Sequence, residues 1–329
     1  MIFRKKHCLF RFSLLLLFIS LQTGLAQAAP TPPLAGKAVK GKSRQIRLFI
    51  IGNSFSQNAS AYLPQLVQEG GHTLLVGRAE LGGCSLQRHW EIVEAAEADP
   101  EDPKGKPYKG KSLKMLLSEG QWDIITLQQN SMNSSDPATY SPYARKLYGY
   151  IKALQPQAEI VLHQTWAYRT DARTFGLIGG KQHAQDARQM WERSRAAYRA
   201  LASELGLRII PTGDAFWQVN THPAWGYKKD EQYNFSSPLK PALPDQTHSL
   251  HVGYTWKQDN TLGFDANHAN EAGRFLGSLT WYSFLFGESP TAIRFVPEKV
   301  PQDFAAYLKK AAKTAVREGK KADKRIAGR

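Results

Sequence analysis

The sequence predicts a three-layer α/β/α sandwich, an α/β fold in which helices cover both faces of a parallel sheet. Short apolar runs of strand length alternate with helical patterns through residues 45–308. These runs are uninterrupted, which is typical of strands that are buried on both faces. No internal repeat and no change of composition divides this span, so we expect a single domain over residues 45–308.

The predicted elements follow one another along the chain, strand and helix in turn. This regular order implies right-handed crossovers between parallel strands. The predicted strands are residues 45–51, 73–79, 122–127, 159–165 and 208–211, and the predicted helices are residues 59–69, 85–98, 143–154, 183–205 and 271–285.

Two stretches interrupt the alternation. Residues 99–111 are rich in Pro, Lys and Gly and are predicted to form a surface loop. Residues 105–112 match the phosphate-loop pattern, but no strand precedes them, so we expect no nucleotide site. Residues 220–260 are rich in proline and aromatic residues and too long for a plain connector, which indicates a cap or lid beside the functional site.

The positive charge of the chain lies at its ends. The formal net charge is +15, yet residues 45–308 hold 26 basic and 26 acidic residues. A nucleic-acid-binding domain would carry a basic face on the fold itself. We therefore expect no nucleic-acid partner.

The N-terminus has the pattern of a secretory signal peptide. Arg4, Lys5 and Lys6 precede a short apolar run at residues 14–19, and Ala26-Gln27-Ala28 is a small-x-small cleavage pattern. Residues 1–28 are thus predicted to be removed on export to the periplasm or the exterior, and an uncleaved anchor is the alternative. Residues 29–44 are predicted to be a flexible leader. Cleavage leaves a single cysteine, Cys84, and hence no internal disulfide.

The C-terminal residues 309–329 form a basic tail. They hold nine basic and two acidic residues. Such a run is either a solubilising helix end or a solvated arm that makes weak contact with anionic surfaces.

Three segments at predicted strand ends carry candidate catalytic groups, and open α/β sheets bind ligands at those ends. Ser54 follows the first strand at a helix start, where the helix dipole favours an oxyanion, although serine is also an ordinary helix cap. Gly82 and Gly83 follow the second strand and let a backbone N–H point into the crevice, or form a plain tight turn. Asn130 follows the third strand, and its amide can donate to an oxyanion.

A fourth segment, Asp265-Ala266-Asn267-His268, is placed at the opening of the helix over residues 271–285. His268 is suited to take the proton of Ser54 while Asp265 fixes the histidine tautomer. Two alternatives stay open: Asp265 is the helix cap and His268 a surface residue, or the two are metal ligands. No further ligands complete a metal site, so no metal is expected.

Taken together, the four segments resemble the SGNH hydrolase superfamily, the GDSL-type esterases and lipases. The resemblance covers residues 45–286, opens with G-N-S-F-S and keeps the family's order. It implies a flavodoxin-like fold with Ser54 as nucleophile, His268 as base and Asp265 as its orienting carboxylate. It also implies an oxyanion hole made by the Ser54 and Gly83 N–H groups and the Asn130 side chain. Gly83 is preferred to Gly82 because a short polar segment entering a helix follows the family's glycine.

Two positions depart from the family pattern. Asn53 stands where the family has Asp, and Gln129 stands where a glycine often precedes the family's Asn. Neither position is catalytic in the family, so both bear on substrate and subfamily. The implied activity is that of an exported serine esterase that removes O-acyl groups, acetyl foremost, from a small-molecule or polysaccharide ester without a cofactor.

Aromatic side chains indicate a carbohydrate acceptor. Trp166 and Trp256 are candidate substrate-binding residues because exposed aromatic faces stack on sugar rings, although large aromatics are as often buried. The rival to an esterase is a catalytically inactive carbohydrate-binding or scaffold protein on the same fold. The complete Ser/Gly/Asn/Asp/His set favours the enzyme, because a binding protein does not need all five.

Overall fold

A parallel sheet lies at the centre of the fold. The computed structural model describes residues 42–327. The strands are β1 (Gln45–Gly52), β2 (Thr73–Glu80), β3 (Ile124–Leu127), β4 (Glu159–His163), β5 (Leu177–Gly179), β6 (Gln182–His183), β7 (Arg208–Ile210), β8 (His251–Trp256) and β9 (Leu262–Ala269). The central order is β2-β1-β3-β4-β7 with every neighbouring pair parallel. This is the flavodoxin-like order, which reverses between β1 and β3.

Helices cover both faces of this sheet. They are α1 (Ser54–Ala59), α2 (Leu63–Glu69), α3 (Leu86–Ala98), α4 (Leu113–Leu117), α5 (Tyr143–Leu154), α6 (Ala187–Leu205), α7 (Thr212–Asn220), α8 (Glu271–Phe286) and α9 (Gln302–Ala327). Successive strand residues point to opposite faces. Leu48 and Ile50 therefore pack with α1, α2, α7, α8 and α9, whereas Phe49 and Ile51 pack with α3, α4 and α5. The predicted three-layer sandwich is confirmed.

The predicted boundary between the domain and the C-terminal tail is wrong. Helix α8 is apolar on all sides and must be covered on all sides. Helix α9 packs on it and buries Leu308, Ala312 and Val316 at helical spacing. The predicted boundary at residue 308 thus falls inside one helix, and the first turns of the predicted tail 309–329 belong to the core.

Two helices begin at residues other than those predicted, because capping side chains determine where they start. The helix predicted over 59–69 is two helices, and the first begins at Ser54 because the Asn53 side chain accepts from the Phe55 N–H. Helix α6 begins at Ala187 because the Asp186 side chain caps it. The start predicted at residue 183 lies in β6.

The predicted leader 29–44 includes a residue, Arg44, that belongs to the fold. The Arg44 guanidinium donates to the Phe286 carbonyl at 2.9 Å, and the Thr73 N–H donates to the Arg44 carbonyl at 2.9 Å. Arg44 is therefore joined to the fold. The predicted signal peptide and residues 29–41 of the predicted leader lie outside the described residues. Within residues 42–327, no helix has the length and apolar character of a bilayer span.

An antiparallel hairpin was not predicted from the sequence. Residues 221–250 form a long irregular segment, as predicted for the first part of 220–260, but strands β8 and β9 then pair with each other. This hairpin carries Asp265 and His268 towards the central sheet.

Candidate active site

The candidate site lies at the carboxyl edge of the sheet. Ser54 is the first residue of α1, directly after β1, while Gly83 follows β2 and Asn130 follows β3. Because β1 lies between β2 and β3, these three segments are neighbours. They meet where the strand order reverses, which is the ligand-binding position of open α/β sheets.

The hairpin brings a histidine and a carboxylate to Ser54. His268 Nε2 lies 3.0 Å from Ser54 Oγ, and His268 Nδ1 lies 2.8 Å from Asp265 Oδ2. An ionised carboxylate only accepts hydrogen bonds, so the proton of neutral His268 resides on Nδ1. The Nε2 lone pair then faces the Ser54 hydroxyl, as a general base requires.

The charges of the pair suit proton transfer. Burial opposes ionisation of Asp265, but hydrogen bonds from the His268 ring and from the Asn267 and His268 N–H groups lower its pKa to about 2. The hydrogen bond to Asp265 raises the pKa of His268 above its ordinary value, against a lowering by burial. Asp265 is therefore charged at neutral pH and stabilises a protonated His268.

An irregularity in β9 turns the two side chains to the same side. Residues three apart in a regular strand point to opposite faces. Here Gly253 pairs with Asp265 but His251 pairs with Ala269, so β9 contains two more residues than β8 across this interval. Such a bulge re-aims side chains, and it allows Asp265 to reach the His268 ring.

Three hydrogen bonds from other segments hold the backbone of residues 266–269. They run from the Ala269 N–H to Asn58 Oδ1 of α1 at 2.9 Å, from the Arg169 N–H to the Ala266 carbonyl at 2.8 Å, and from Trp166 Nε1 to the Asn267 carbonyl at 2.9 Å. The first of these ties the His268 segment directly to the helix that carries Ser54.

The placement of this segment at a helix opening is wrong. Asp265 and His268 lie on β9, and the cap of α8 is Asn270, whose side chain accepts from the Gly273 N–H at 3.0 Å. The alternative in which Asp265 caps the helix is therefore excluded. The error arose because a D-x-x-H spacing also places two side chains on one face of a helix.

The segments after β2 and β3 contact each other. The Cys84 N–H donates to the Leu81 carbonyl at 3.2 Å, and Gly83 adopts φ = 62°, the left-handed conformation that favours glycine. Asn130 Nδ2 donates to the Gly83 carbonyl at 3.1 Å. Within the part of the chain that the structure describes, the Ser54 and Gly83 N–H groups have no hydrogen-bond partner. Two backbone donors and the second Asn130 amide hydrogen are thus available to an oxyanion.

The site is open to solvent. Ser54 and Asn130 are half-buried and Gly83 is exposed, and the His268 side chain keeps 37% of its surface exposed. A reacting carbonyl can therefore reach Ser54 while the rest of its molecule stays outside the protein.

The two candidate tryptophans occupy different environments. Trp166 is 1% exposed and stacks between Phe55 and Phe216, so its prediction as a substrate-binding residue is wrong. Large aromatic rings stabilise a core by the area they bury. Trp256 is half-buried near the tip of the hairpin, where its Nε1 donates to the Ala242 carbonyl at 3.0 Å.

Other reactive side chains are buried in structural positions. Burial lowers the pKa of His163 to about 3 and that of His251 to about 4, and it raises the pKa of the Cys84 thiol to about 12. None of these groups is charged near neutral pH. Among residues 42–327, no three His, Cys, Asp or Glu side chains cluster as metal ligands.

Three residues that shape the site were not predicted as site residues. Gln128 and Gln129 are buried and bond to Asn53 and Asn130, and Arg169 is buried with its N–H donating to the Ala266 carbonyl of the hairpin. A signal for the first two was visible, since three consecutive amides at the tip of an apolar strand are unusual. No pattern in the sequence indicated the contact between Arg169 and the hairpin.

One solved structure shares this fold, and two others are similar at lower TM-scores. A crystal structure of a DUF4886 family protein from Bacteroides uniformis ATCC 8492 has 24% identity and a TM-score of 0.63, over 83% of this chain and 95% of that chain. A candidate SGNH hydrolase from Slackia heliotrinireducens has 17% identity and a TM-score of 0.45, over 73% and 99%. A candidate GDSL-like lipase from Parabacteroides merdae ATCC 43184 has 14% identity and a TM-score of 0.40, over 73% and 94%.

A search of curated proteins gives no match. A family model matches residues 47–223, more than half of the chain, and its description is "Domain of unknown function (DUF4886)". This chain belongs to the DUF4886 family.

Proposed function

We propose that the protein is an exported serine esterase of the SGNH type, which hydrolyses O-acyl esters, acetyl esters foremost, on carbohydrate. One observation carries the proposal: His268 Nε2 lies 3.0 Å from Ser54 Oγ while His268 Nδ1 lies 2.8 Å from Asp265 Oδ2, the arrangement that activates a serine.

The proposed reaction proceeds through an acyl-enzyme. Ser54 Oγ attacks the ester carbonyl while His268 Nε2 takes the hydroxyl proton. Asn130 Nδ2 and the Ser54 and Gly83 N–H groups stabilise the oxyanion. The alcohol leaves with the proton of His268, and a water molecule, deprotonated by the same histidine, then releases the acid and restores Ser54.

The openness of the site supports a small acyl group on a large acceptor. The oxyanion donors and Ser54 need to surround only the carbonyl, and the acceptor alcohol can extend into solvent. Trp256 remains the aromatic candidate for stacking on a sugar ring. Export through the signal peptide at residues 1–28 and weak contact of the basic end of α9 with anionic surfaces form part of the proposal.

Covalent trapping tests the assignment. A fluorophosphonate is expected to label wild-type protein at Ser54, identified by mass spectrometry, and Ser54→Ala is expected to lose both labelling and p-nitrophenyl acetate hydrolysis. Hydrolysis of acetylated xylan, compared with p-nitrophenyl octanoate, tests the acyl and acceptor preference. Unchanged turnover by Ser54→Ala would rule out the serine mechanism.

A further inference from the structure

We propose that Asn53 and Gln129, the two departures from the SGNH hydrolase pattern, are positioning residues that fix the oxyanion-hole segments through hydrogen bonds that require an amide. The inference rests on the proposed function, because it concerns the geometry of the same site. It assigns a role to two buried side chains that do not touch the reacting atoms.

Asn53 joins the ends of three strands. Its side chain is buried, with the residue 1% exposed. Asn53 Oδ1 accepts from the Phe55 N–H at 2.9 Å and from Gln128 Nε2 at 2.7 Å, and Asn53 Nδ2 donates to the Cys84 carbonyl at 2.9 Å. A backbone N–H only donates and a backbone carbonyl only accepts, so the amide orientation is fixed.

Gln128 extends this network beneath β3. Because Gln128 Nε2 donates to Asn53, its Oε1 is the atom that faces His163 Nδ1 at 2.7 Å. His163 therefore carries its proton on Nδ1. Burial keeps this histidine neutral, with its pKa lowered to about 3, so the network does not change with pH in the neutral range.

Gln129 joins the remaining segments. Its Oε1 accepts from the Leu86 N–H at 3.1 Å, at the start of α3, and from the Asn130 N–H at 2.9 Å. Its Nε2 donates to the Thr139 carbonyl at 3.0 Å and to the Thr139 hydroxyl at 3.1 Å. Backbone groups again fix the amide orientation, and Gln129 is also 1% exposed.

The two amides thus hold two segments of the candidate oxyanion hole, the turn at Gly83 and the backbone of Asn130. Asn130 anchors the Gly83 carbonyl and Asn53 anchors the next carbonyl, that of Cys84, so two successive peptide units of the turn are held. Gln129 fixes the backbone N–H of Asn130 itself. A carboxylate has no hydrogen to donate, and a glycine has no side chain, so neither can make these bonds.

The first test replaces one donor by an acceptor of the same shape. In Asn53→Asp, an ionised carboxylate oxygen faces the Cys84 carbonyl, and the turn that carries Gly83 is pushed away. We expect kcat for p-nitrophenyl acetate to fall about 10²-fold with KM nearly unchanged, the size of effect that a 1 Å misplacement causes.

The pH profile separates positioning from general loss of structure. Burial raises the pKa of the introduced carboxyl, and its protonated form can again donate to Cys84. The ratio of Asn53→Asp kcat to wild-type kcat is therefore expected to fall as pH rises. The ionisation of His268 is common to both proteins and cancels in this ratio.

A second variant and a matched control complete the experiment. Gln129→Glu removes the donor to Thr139 and is expected to lower kcat while KM is retained, which keeps the test decisive if Asn53→Asp does not fold. Gln155→Glu is the control: its Nε2 donates to the Leu117 and Gly120 carbonyls at 2.8 and 2.9 Å, at the opposite end of the sheet. It is expected to lower the melting temperature and leave kcat unchanged.

The outcomes distinguish the positioning role of Asn53 and Gln129 from the esterase activity itself. If folded Asn53→Asp and Gln129→Glu hydrolyse the ester with wild-type kcat at every pH, the positioning role is overturned while the esterase assignment stands. An equal loss of kcat in Gln155→Glu would also overturn it, because the effect would then be one of stability. Wild-type protein that neither hydrolyses esters nor labels at Ser54 would overturn the proposed function and this inference with it.

Discussion

His268 Nε2 lies 3.0 Å from Ser54 Oγ, although 214 residues separate the two in the chain. The contact joins the turn after the first strand to the last strand that the structure describes. Its geometry depends on the bulge in β9, on the hydrogen bond from Ala269 to Asn58, and on the packing under the hairpin. Changes in any of these should therefore affect catalysis as well as stability.

Asn130→Ala is expected to lower kcat by about 10²–10³ with little change in KM, because it removes one donor to the oxyanion. Steady-state kinetics with p-nitrophenyl acetate measure both constants. A rise in KM with unchanged kcat would show instead that Asn130 binds the substrate in its ground state.

Ester hydrolysis is expected to rise with pH through a single ionisation above 6.5, because His268 acts in its neutral form and the bond to Asp265 raises its pKa. The contribution of the raised His268 pKa to folding stability changes with pH in the opposite direction. It is fully present below the pKa of unfolded histidine and is lost as pH rises through the raised pKa of the folded state. A kcat–pH profile with its midpoint below 6.5 would contradict the coupling.

Asp265→Asn is expected to lower kcat by up to about 10⁴, the loss of the corresponding serine-protease change. An amide nitrogen facing Nδ1 favours the tautomer with the proton on Nε2, which leaves no lone pair for Ser54. The melting temperature should change little, since the amide oxygen can still accept from the His268 N–H. Loss of wild-type activity with EDTA and recovery with zinc would indicate a metal site instead.

Arg169→Met is expected to destabilise the fold by roughly 3–5 kcal/mol, because it leaves Asp171 as a buried carboxylate without its partner. The Arg169 and Asp171 side chains are 1% and 5% exposed and contact each other at 2.7 Å. Arg145→Met is the matched control: it breaks an exposed pair with Glu204 and should cost about 1 kcal/mol or less. Urea unfolding measures both, and equal losses would contradict a structural role for the buried pair.

Trp166→Phe is expected to lower kcat by up to about 10²-fold without raising KM for a polysaccharide substrate, because it frees the Asn267 carbonyl and loosens the bulge. Trp122→Phe is the control, since its Nε1 donates to the Leu117 carbonyl far from Ser54. An equal loss of kcat in Trp122→Phe would contradict an effect that acts through the bulge.

The parallel sheet was predictable because its strands are buried apolar runs, and such runs have few alternative structures. The meeting of the segments after β1, β2 and β3 could then be predicted, because parallel strands have their carboxyl ends at one edge of the sheet. Helix α9 was not predicted, because the tail contains many basic residues and its buried positions are mostly small alanines, which give a weak apolar pattern. The apolar spacing of Leu308, Ala312 and Val316 was the signal that could have found it.

The orientation of side chains within the hairpin could not be predicted from the sequence. β8 and β9 mix polar and apolar residues, and their pairing depends on contacts such as Arg169 against Gly253, where an added Cβ would lie 2.2 Å from the guanidinium. The burial of Trp166 likewise follows from its neighbours Phe55 and Phe216, which lie far from it in the chain.

The bulge in β9 also makes the candidate site sensitive to the number of residues between Asp265 and His268. Substitution of Ala266 or Asn267 leaves the path of the backbone intact, because their carbonyls make the anchoring bonds. Removal or insertion of one residue between Asp265 and His268 would instead turn the imidazole to the opposite face of the strand. Substitutions of Ala266 and Asn267 are therefore expected to be tolerated better than a change in the length of this segment.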